Sequence, residues 1–435
     1  MEIQGQWIIP EFEEQSFYGT LYKKNNKINL HILGELPFFE KSIRFPVIYG
    51  KTIKGDYTLM DCIWSGNSSY NTQSQIQEKK LFCNSIIKGH CFKKTEELKF
   101  HKFKFNFDGL REWLDMSKVK VDYKTNKVTA EFINPEPISF IINKNIKVTI
   151  NSEMFPYTSK KNDTIFQINQ SIFISLNSDE KIDAENFINL KNLLIQFFFF
   201  ALNYKIEPYI QRFFNNEIHE NKRINELIYI DGNQTEINNF PIRHKFPFKY
   251  LDIKDDFEKI LELWINNNKE LEPIINIWIC FFTSEKLNIE NKFLLVCQAF
   301  EAFHSRFRHK EEKYENGECN RFGTPKFAVR VKKLMFFFKS NISDKIFSDF
   351  TNINELSEKI KDTRDYYTHY LRSLEDKVWN EIDLLTYTQQ LIAMLHCLIL
   401  NEIGIKSEII DKYLKYQNFG NYQDIKDIPT INKIQ

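Results

Sequence analysis

The stretch KIKDTRDYYTHYLRSL, residues 359–374, decides how the C-terminal third of this chain is read. Its apolar positions recur at helical spacing, and Arg364 falls on one stripe with Leu356, Ile360, Tyr367 and Leu371. The segment therefore reads as part of an amphipathic helix over 353–374. Working outward, NKFLLVCQAFEAFHSRF (291–307) precedes it and is apolar on nearly every side, and QQLIAMLHCLILNEIGI (389–405) follows it. Gly404 stands where a helix stop uses glycine. The same spacing predicts helices over 255–266, 270–282, 289–308, 325–338, 379–403 and 406–416. No repeat of fixed period runs through them, so a bundle is expected rather than a solenoid.

On the N-terminal side the period is two. FYGTLY (17–22), INLHILG (28–34) after an Asn-Asn-Lys turn, FPVIYGKT (45–52) and YTLMDCIW (57–64) after Lys54-Gly55-Asp56 alternate or are rich in β-branched residues, which predicts strands. Phe103, Phe105 and Phe107 alternate with Lys104 and Asn106, the pattern of a half-buried strand, and VTAEF, ISFII, IKVTI and SIFISL continue the series. Near Ile182 the period changes. A helix is expected over 184–202, whose LLIQFFFFAL run must be sequestered by neighbours. Residues 204–247 are mixed, with a strand candidate at LIYI (227–230). The fold class is thus α+β and multidomain: a β-rich domain over 1–180, a mixed junction region with helices over 181–284, a helical domain over 285–417 and a tail over 418–435.

Composition sets outer limits. At 435 residues the chain exceeds what one hydrophobic core serves, so two or three domains are expected. Hydrophobic residues at 42% and charged residues at 27% fit a water-soluble globular protein. A net charge of +1 means that any contact with nucleic acid is local. The seven cysteines never form a C-x-x-C pair and read as reduced thiols, with neither a disulfide framework nor a zinc site. The start, MEIQGQWIIPEFEE, lacks the features of a signal peptide. The most apolar stretches, 193–202 and 274–282, fall short of the roughly twenty residues of a spanning helix. A cytoplasmic location without membrane contact is the expectation. Phosphate-binding loops, dinucleotide fingerprints, H-E-x-x-H pairs and G-x-S-x-G elbows do not occur, so NTP-driven, NAD-dependent, zinc-protease and lipase chemistry have no support.

The chemistry-bearing pair is Arg364 and His369, four residues apart. With eleven arginines and nine histidines, an R-x4-H arises by chance about one time in four or five, so its setting has to carry it. Arg212 and His219, an R-x6-H in the junction region, lack such a setting and read as a chance match. A histidine moves protons near neutral pH. An arginine stays charged and can hold two phosphate oxygens at once. Glu301 lies on an apolar helix where a charge needs a partner, and Arg364 is the natural one. His304, one turn on, is a further candidate. Between these helices Arg306, Arg308, Lys310, Arg321, Lys326, Arg330, Lys332 and Lys333 interleave with Phe307, Phe322 and Phe327, a composition suited to phosphate neutralisation and base stacking. Each feature also has a structural reading. Arg364 can be a half-buried structural arginine, His369 a surface residue, Glu301 an ordinary ion pair, and the basic run a solvated face balanced by Glu311, Glu312, Glu315 and Glu318.

The order and wording of AFEAFH, RDYYTH and the closing NEIGI resemble the HEPN domain of ApeA-like anti-phage proteins, over residues 287–405. The strands GTLY, ILGELPF, YGKT and YTLMDC resemble the N-terminal domain of that family. The resemblance implies metal-independent RNA cleavage without a cofactor, in which the ribose 2′-hydroxyl attacks the adjacent phosphate and leaves a cyclic phosphate and a 5′-hydroxyl. His369 is then the proton-transfer residue, Arg364 the phosphate clamp and Glu301 a supporting residue. Asp365, Tyr367, Arg306, Arg308, Arg330 and Lys333 are assigned to substrate binding. The family usually carries a polar residue, often asparagine, where this chain has Asp365. Five residue steps place Arg364 and His369 about 140° apart around a helix axis. The resemblance resolves this by pairing two subunits whose motifs share one cleft, so a homodimer or higher homo-oligomer is expected. By the same resemblance the chain serves abortive anti-phage defence by cutting cellular RNA, tRNA being the expected target, in answer to a phage-derived trigger. The other class consistent with these residues is a non-catalytic HEPN module for RNA binding, dimerisation or sensing.

Overall fold

The computed structural model describes residues 1–415 apart from 25, 35–43, 71–76, 116–118, 126, 133–134, 143–144, 159–165, 216–217, 220–221, 224–225, 233–244, 285–286 and 348–351. Part of ILGELPF, much of the segment after LIYI and the tail 418–435 therefore lie outside the described residues. The chain divides into two units, one of residues 1–195 and 206–244, the other of 196–205 and 245–435. The segment 181–284, expected as a separate junction, is divided between them.

In the first unit, alternation places Trp7, Leu21, Leu30, Ile48, Leu59 and Leu81 in the interior of six antiparallel strands. These are β1 (Glu2–Ile8), β2 (Ser16–Lys24), β3 (Lys27–Leu33), β4 (Arg44–Thr52), β5 (Gly55–Tyr70) and β6 (Gln77–Lys88). They run in the order β6-β3-β2-β1-β4-β5, and β5 pairs back onto β6, closing a barrel. The indole of Trp7 fills the barrel beside two glycines: its Nε1 donates to the Gly19 carbonyl at 3.1 Å, and a Cβ on Gly50 would stand 2.4 Å from its ring. Cys62 and Cys83, distant in sequence, are register partners with sulfurs 3.2 Å apart.

The outer side of β6 continues the sheet. The remaining elements are β7 (Lys99–Phe107), α1 (Leu110–Leu114), β8 (Val119–Lys124), β9 (Lys127–Phe132), β10 (Ile138–Ile142), β11 (Ile146–Thr158), β12 (Phe166–Asp183), α2 (Ala184–Leu202), β13 (Pro208–Phe214), β14 (Ile218–His219), β15 (Lys222–Arg223) and β16 (Leu227–Asp231). From β6 the order runs β16-β13-β7-β12-β11-β10, while β8–β9 and β14–β15 form separate ladders. The strand expected at LIYI is β16. Arg212 and His219 fall on strands β13 and β14 of this unit.

Strand β7 corrects one expectation. Its alternation is real, but Lys104 and Asn106 are buried along with Phe103, Phe105 and Phe107, so both faces are covered. Lys104 is accommodated because its ammonium lies 3.8 Å from the Phe173 ring centroid and pairs with Glu153.

The second unit contains α3 (Tyr250–Ile253), α4 (Phe257–Asn266), α5 (Asn268–Thr283), α6 (Ile289–Phe303), α7 (Phe327–Asn341), α8 (Ile353–His369), α9 (Glu381–Glu402) and α10 (Ser407–Leu414). The phenylalanine run is sequestered as its composition requires. Phe200 stacks on Trp278 at 3.9 Å, and Phe197 meets Trp264 edge-on at 5.8 Å. Among the described residues, α9 is the one helix long and apolar enough to cross a membrane, and 56% of its most apolar window is buried inside the protein, the pattern of a core helix. It ends in a Schellman motif: Gly404 at φ +88° gives its N–H to Asn401, and Ile405 gives its N–H to Leu400.

Two helices stop short of their expected ends. The helix over 289–308 is α-helical only to Phe303, and His304–Arg308 is one π turn. The helix over 353–374 ends at His369, because Tyr370 takes a left-handed conformation at φ 51°, and a 3-10 turn follows at Arg372–Lys377. Leu371 is therefore off the helical stripe and is exposed.

Candidate active site

The arginine of the motif is fixed from below by its own helix. Leu356 and Ile360 are fully buried on the inner face of α8, which carries Arg364, one turn after Ile360, out of the core to half-exposure. Its guanidinium meets two carboxylates. One terminal nitrogen donates to Asp365 Oδ1 at 3.0 Å and the other to Glu301 Oε2 at 3.5 Å. The guanidinium carbon lies 5.1 Å from the centroid of Phe327, the first residue of α7. Three helices thus supply the setting: α6 gives Glu301, α7 the ring, and α8 the arginine with its neighbour. Cys297, one turn before Glu301, is buried beneath; burial raises its thiol pKa far more than nearby Arg364 lowers it, so it stays protonated.

His369 is the last residue of α8 and is exposed. Its chain neighbours Tyr366, Tyr367 and Tyr370 form a cluster whose rings meet edge to face with centroids 5.2 to 6.5 Å apart. Tyr370 is 68% exposed. The pairing of Arg364 with Glu301 was legible in the sequence. The roles of Asp365 as a second carboxylate on Arg364 and of Phe327 as its aromatic floor were not, because a rotamer and an interhelical contact decide them. Tyr366 and Tyr370 had a signal in the repeated tyrosines of DYYTHY.

The other basic candidates are drawn into the domain instead of converging on Arg364. Arg306 donates to Glu270 at 2.9 Å. Arg308 pairs with Glu402, and its guanidinium carbon lies 4.0 Å from the Phe337 centroid; burial holds its pKa down. Arg330 donates to the carbonyls of Pro325 at 2.9 Å and Glu301 at 3.4 Å. Lys333 donates to the Lys313 carbonyl at 2.9 Å, 5.1 Å from the Tyr314 ring centroid. His304 is buried in the π turn, 2.8 Å from Glu312 and 3.3 Å from the Tyr314 hydroxyl. Burial lowers its pKa against the opposing pull of Glu312. Glu312 and Glu318 of the acidic counterweight are thus engaged, Glu318 by Lys332 at 3.2 Å. Among the described residues no group of three His, Cys, Asp or Glu side chains is placed to hold a metal ion.

One cation between two carboxylates leaves a net negative charge near Arg364. A phosphate oxygen must displace at least one carboxylate to gain the bidentate contact that guanidinium geometry offers. The half-exposure of all three groups leaves room for that exchange.

A helical bundle bearing R-x4-H on α8, joined to a unit built on a barrel, defines a two-domain protein of the HEPN class. The model of ApeA N-terminal domain 1 matches residues 2–264, and that of the Apea-like HEPN domain matches residues 294–409. The chain belongs to the ApeA family. No curated protein and no solved structure matches it.

Proposed function

We propose that this chain is an anti-phage endoribonuclease of HEPN type, in which Arg364 holds the scissile phosphate and His369 transfers the proton. The observation that supports this best is the placement of α8: a half-exposed arginine held by exchangeable carboxylates and, at the end of the same helix, an exposed histidine among three tyrosines. In this reading the 2′-hydroxyl oxygen attacks phosphorus, the bond to the 5′ oxygen breaks, and the products are a 2′,3′-cyclic phosphate and a 5′-hydroxyl. His369 moves the proton and Arg364 balances the charge that builds on the phosphoryl oxygens. The tyrosine cluster offers a stacking surface for an unpaired base. Two copies with α8 facing α8 bring both pairs into one cleft, which offsets the angular separation within one helix. The substrate is cellular RNA, tRNA foremost, and cleavage serves abortive defence.

The test is incubation of wild-type, Arg364→Ala and His369→Ala proteins with total and transfer RNA in EDTA, followed by analysis of product ends. Cleavage by the wild type alone, with cyclic phosphate ends, is expected. Cleavage retained by both folded variants would remove the site assignment. The second reading, a non-catalytic RNA-binding or dimerisation module, is favoured by the double-carboxylate grip on Arg364. It gains the field if no protein turns RNA over in the presence of phage lysate.

A further inference from the structure

A cavity of about 500 Å³ opens in the first unit where β7, α1, β12 and β13 meet, a volume within the range of small-molecule sites. It lies outside everything assigned to RNA chemistry. Three features make it more than a surface dent.

The first is an unmet acceptor. Asn106, on β7, lines the cavity at 5% exposure, and among the described residues its buried Oδ1 has no hydrogen-bond partner. A buried amide oxygen left unmatched costs free energy, and such groups are rare enough in folded proteins to need an explanation. The second is the setting of Tyr209, whose hydroxyl interacts with the Asp108 carboxylate and with the Asn106 side chain. Burial, with Asp108 adding to it, pushes this hydroxyl up to about 12, so it remains a neutral phenol at working pH.

The third feature is backbone geometry. The register between β13 and β7 slips between Tyr209 and Arg212, and Ile210 inside that slip has φ 49°. A β-branched residue is a poor occupant of the left-handed region. Bulges of this kind re-aim a side chain beside binding sites, and backbone strain concentrates where function needs it.

The lining identifies the ligand class. Acceptors dominate: Asn106 Oδ1, Asp108, and Gln170, whose Nε2 already donates to Ser152 at 2.8 Å. Phe107 and Ile172 add apolar wall, and Glu112 stands at the rim with Arg111. The two carboxylates oppose a phosphate, and the mixed wall suits a flat ring with a polar edge better than an aliphatic polyamine. We propose that this cavity binds an amino-substituted heterocycle of nucleoside size, with its N–H donors on Asn106 and Asp108.

The experiment is titration calorimetry on the full chain with adenosine, cytidine, inosine and uridine, the last two carrying a carbonyl where the first two carry an amino group. Saturable one-to-one binding of adenosine or cytidine is expected, at least tenfold tighter than of its oxo counterpart. Asn106→Leu, close in volume and without the acceptor, should lose at least tenfold of that affinity. Tyr209→Phe keeps the ring, drops the hydroxyl beside Asp108 and Asn106 and should weaken binding severalfold; it decides the matter if Asn106→Leu fails to fold. The proposal is overturned if none of the four nucleosides binds saturably, if amino and oxo forms bind alike, or if the folded variants bind as the wild type does. None of these readouts depends on RNA cleavage.

Discussion

Asp365 differs from asparagine by one proton-bearing group, yet it places a full negative charge 3.0 Å from the nitrogen that is proposed to meet phosphate. Asp365→Asn should raise RNA affinity and, with it, kcat/KM severalfold. The gain should shrink as salt rises, because these groups are about a third exposed and therefore screened. Salt-dependent cleavage assays on the two proteins check this; equal activity at low salt would show that Asp365 moves aside without cost. His396 makes a different residue-scale prediction. It is buried in α9, its Nε2 is 3.1 Å from the Phe200 carbonyl, and burial pushes its pKa down to about 4 from 6.5. Its depressed value means that the unfolded chain binds the proton more readily. Stability is therefore full above pH 6.5 and is lost as pH falls from 6.5 toward 4, by about 3 kcal/mol for a fully buried group. Urea unfolding across that range should show the loss, and His396→Gln should flatten it. Sequence exposed the link between Glu301 and Arg364, since a charge on an apolar helix demands a counter-charge. It marked Asp365 as a substrate-binding position, whereas the turn of its side chain back onto Arg364 shows only in three dimensions.

At the scale of elements, helix interiors were readable, and helix ends were readable only where a stop residue marks them. The period over 353–374 continues through Leu371 and Leu374, but Tyr370 turns left-handed without the glycine that usually announces such a stop. Gly404 did announce one, and its substitution gives a clean test. Gly404→Ala forces a Cβ into φ +88° and within 3.2 Å of Leu263 Cδ1, and should cost about 1 kcal/mol. Denaturant midpoints at unchanged slope would measure it, and no loss would mean that α9 ends differently in solution. Among strands, β2 to β5 were visible through turn residues and alternation. β6 does not stand out from its sequence, because EKKLFCNSIIK mixes lysines, one of them buried, into the run.

At the scale of the molecule, the α+β class was readable from the change of period near Ile182. Closure of the barrel was not, since it rests on β6 pairing with both β3 and β5, contacts that local patterning does not encode. Nor was the division of α2, whose residues from Gln196 onward belong to the helical unit while 206–244 return to the sheet. Phe200, 1% exposed against Trp278, shows what that segment supplies. Phe200→Ala should cost about 3–5 kcal/mol, read as an earlier loss of helical circular dichroism in guanidinium. An unshifted transition would show that the segment is dispensable.

That threading bears on how such a protein can change its pairing of parts over time. A recombination event that cuts anywhere in 206–244 and carries only the later chain to a new gene would deliver a bundle without ten of its own residues, six of them buried. The two units are therefore not separable at any single point of the chain, and a fusion that moves the bundle whole has to carry Gln196–Lys205 with it.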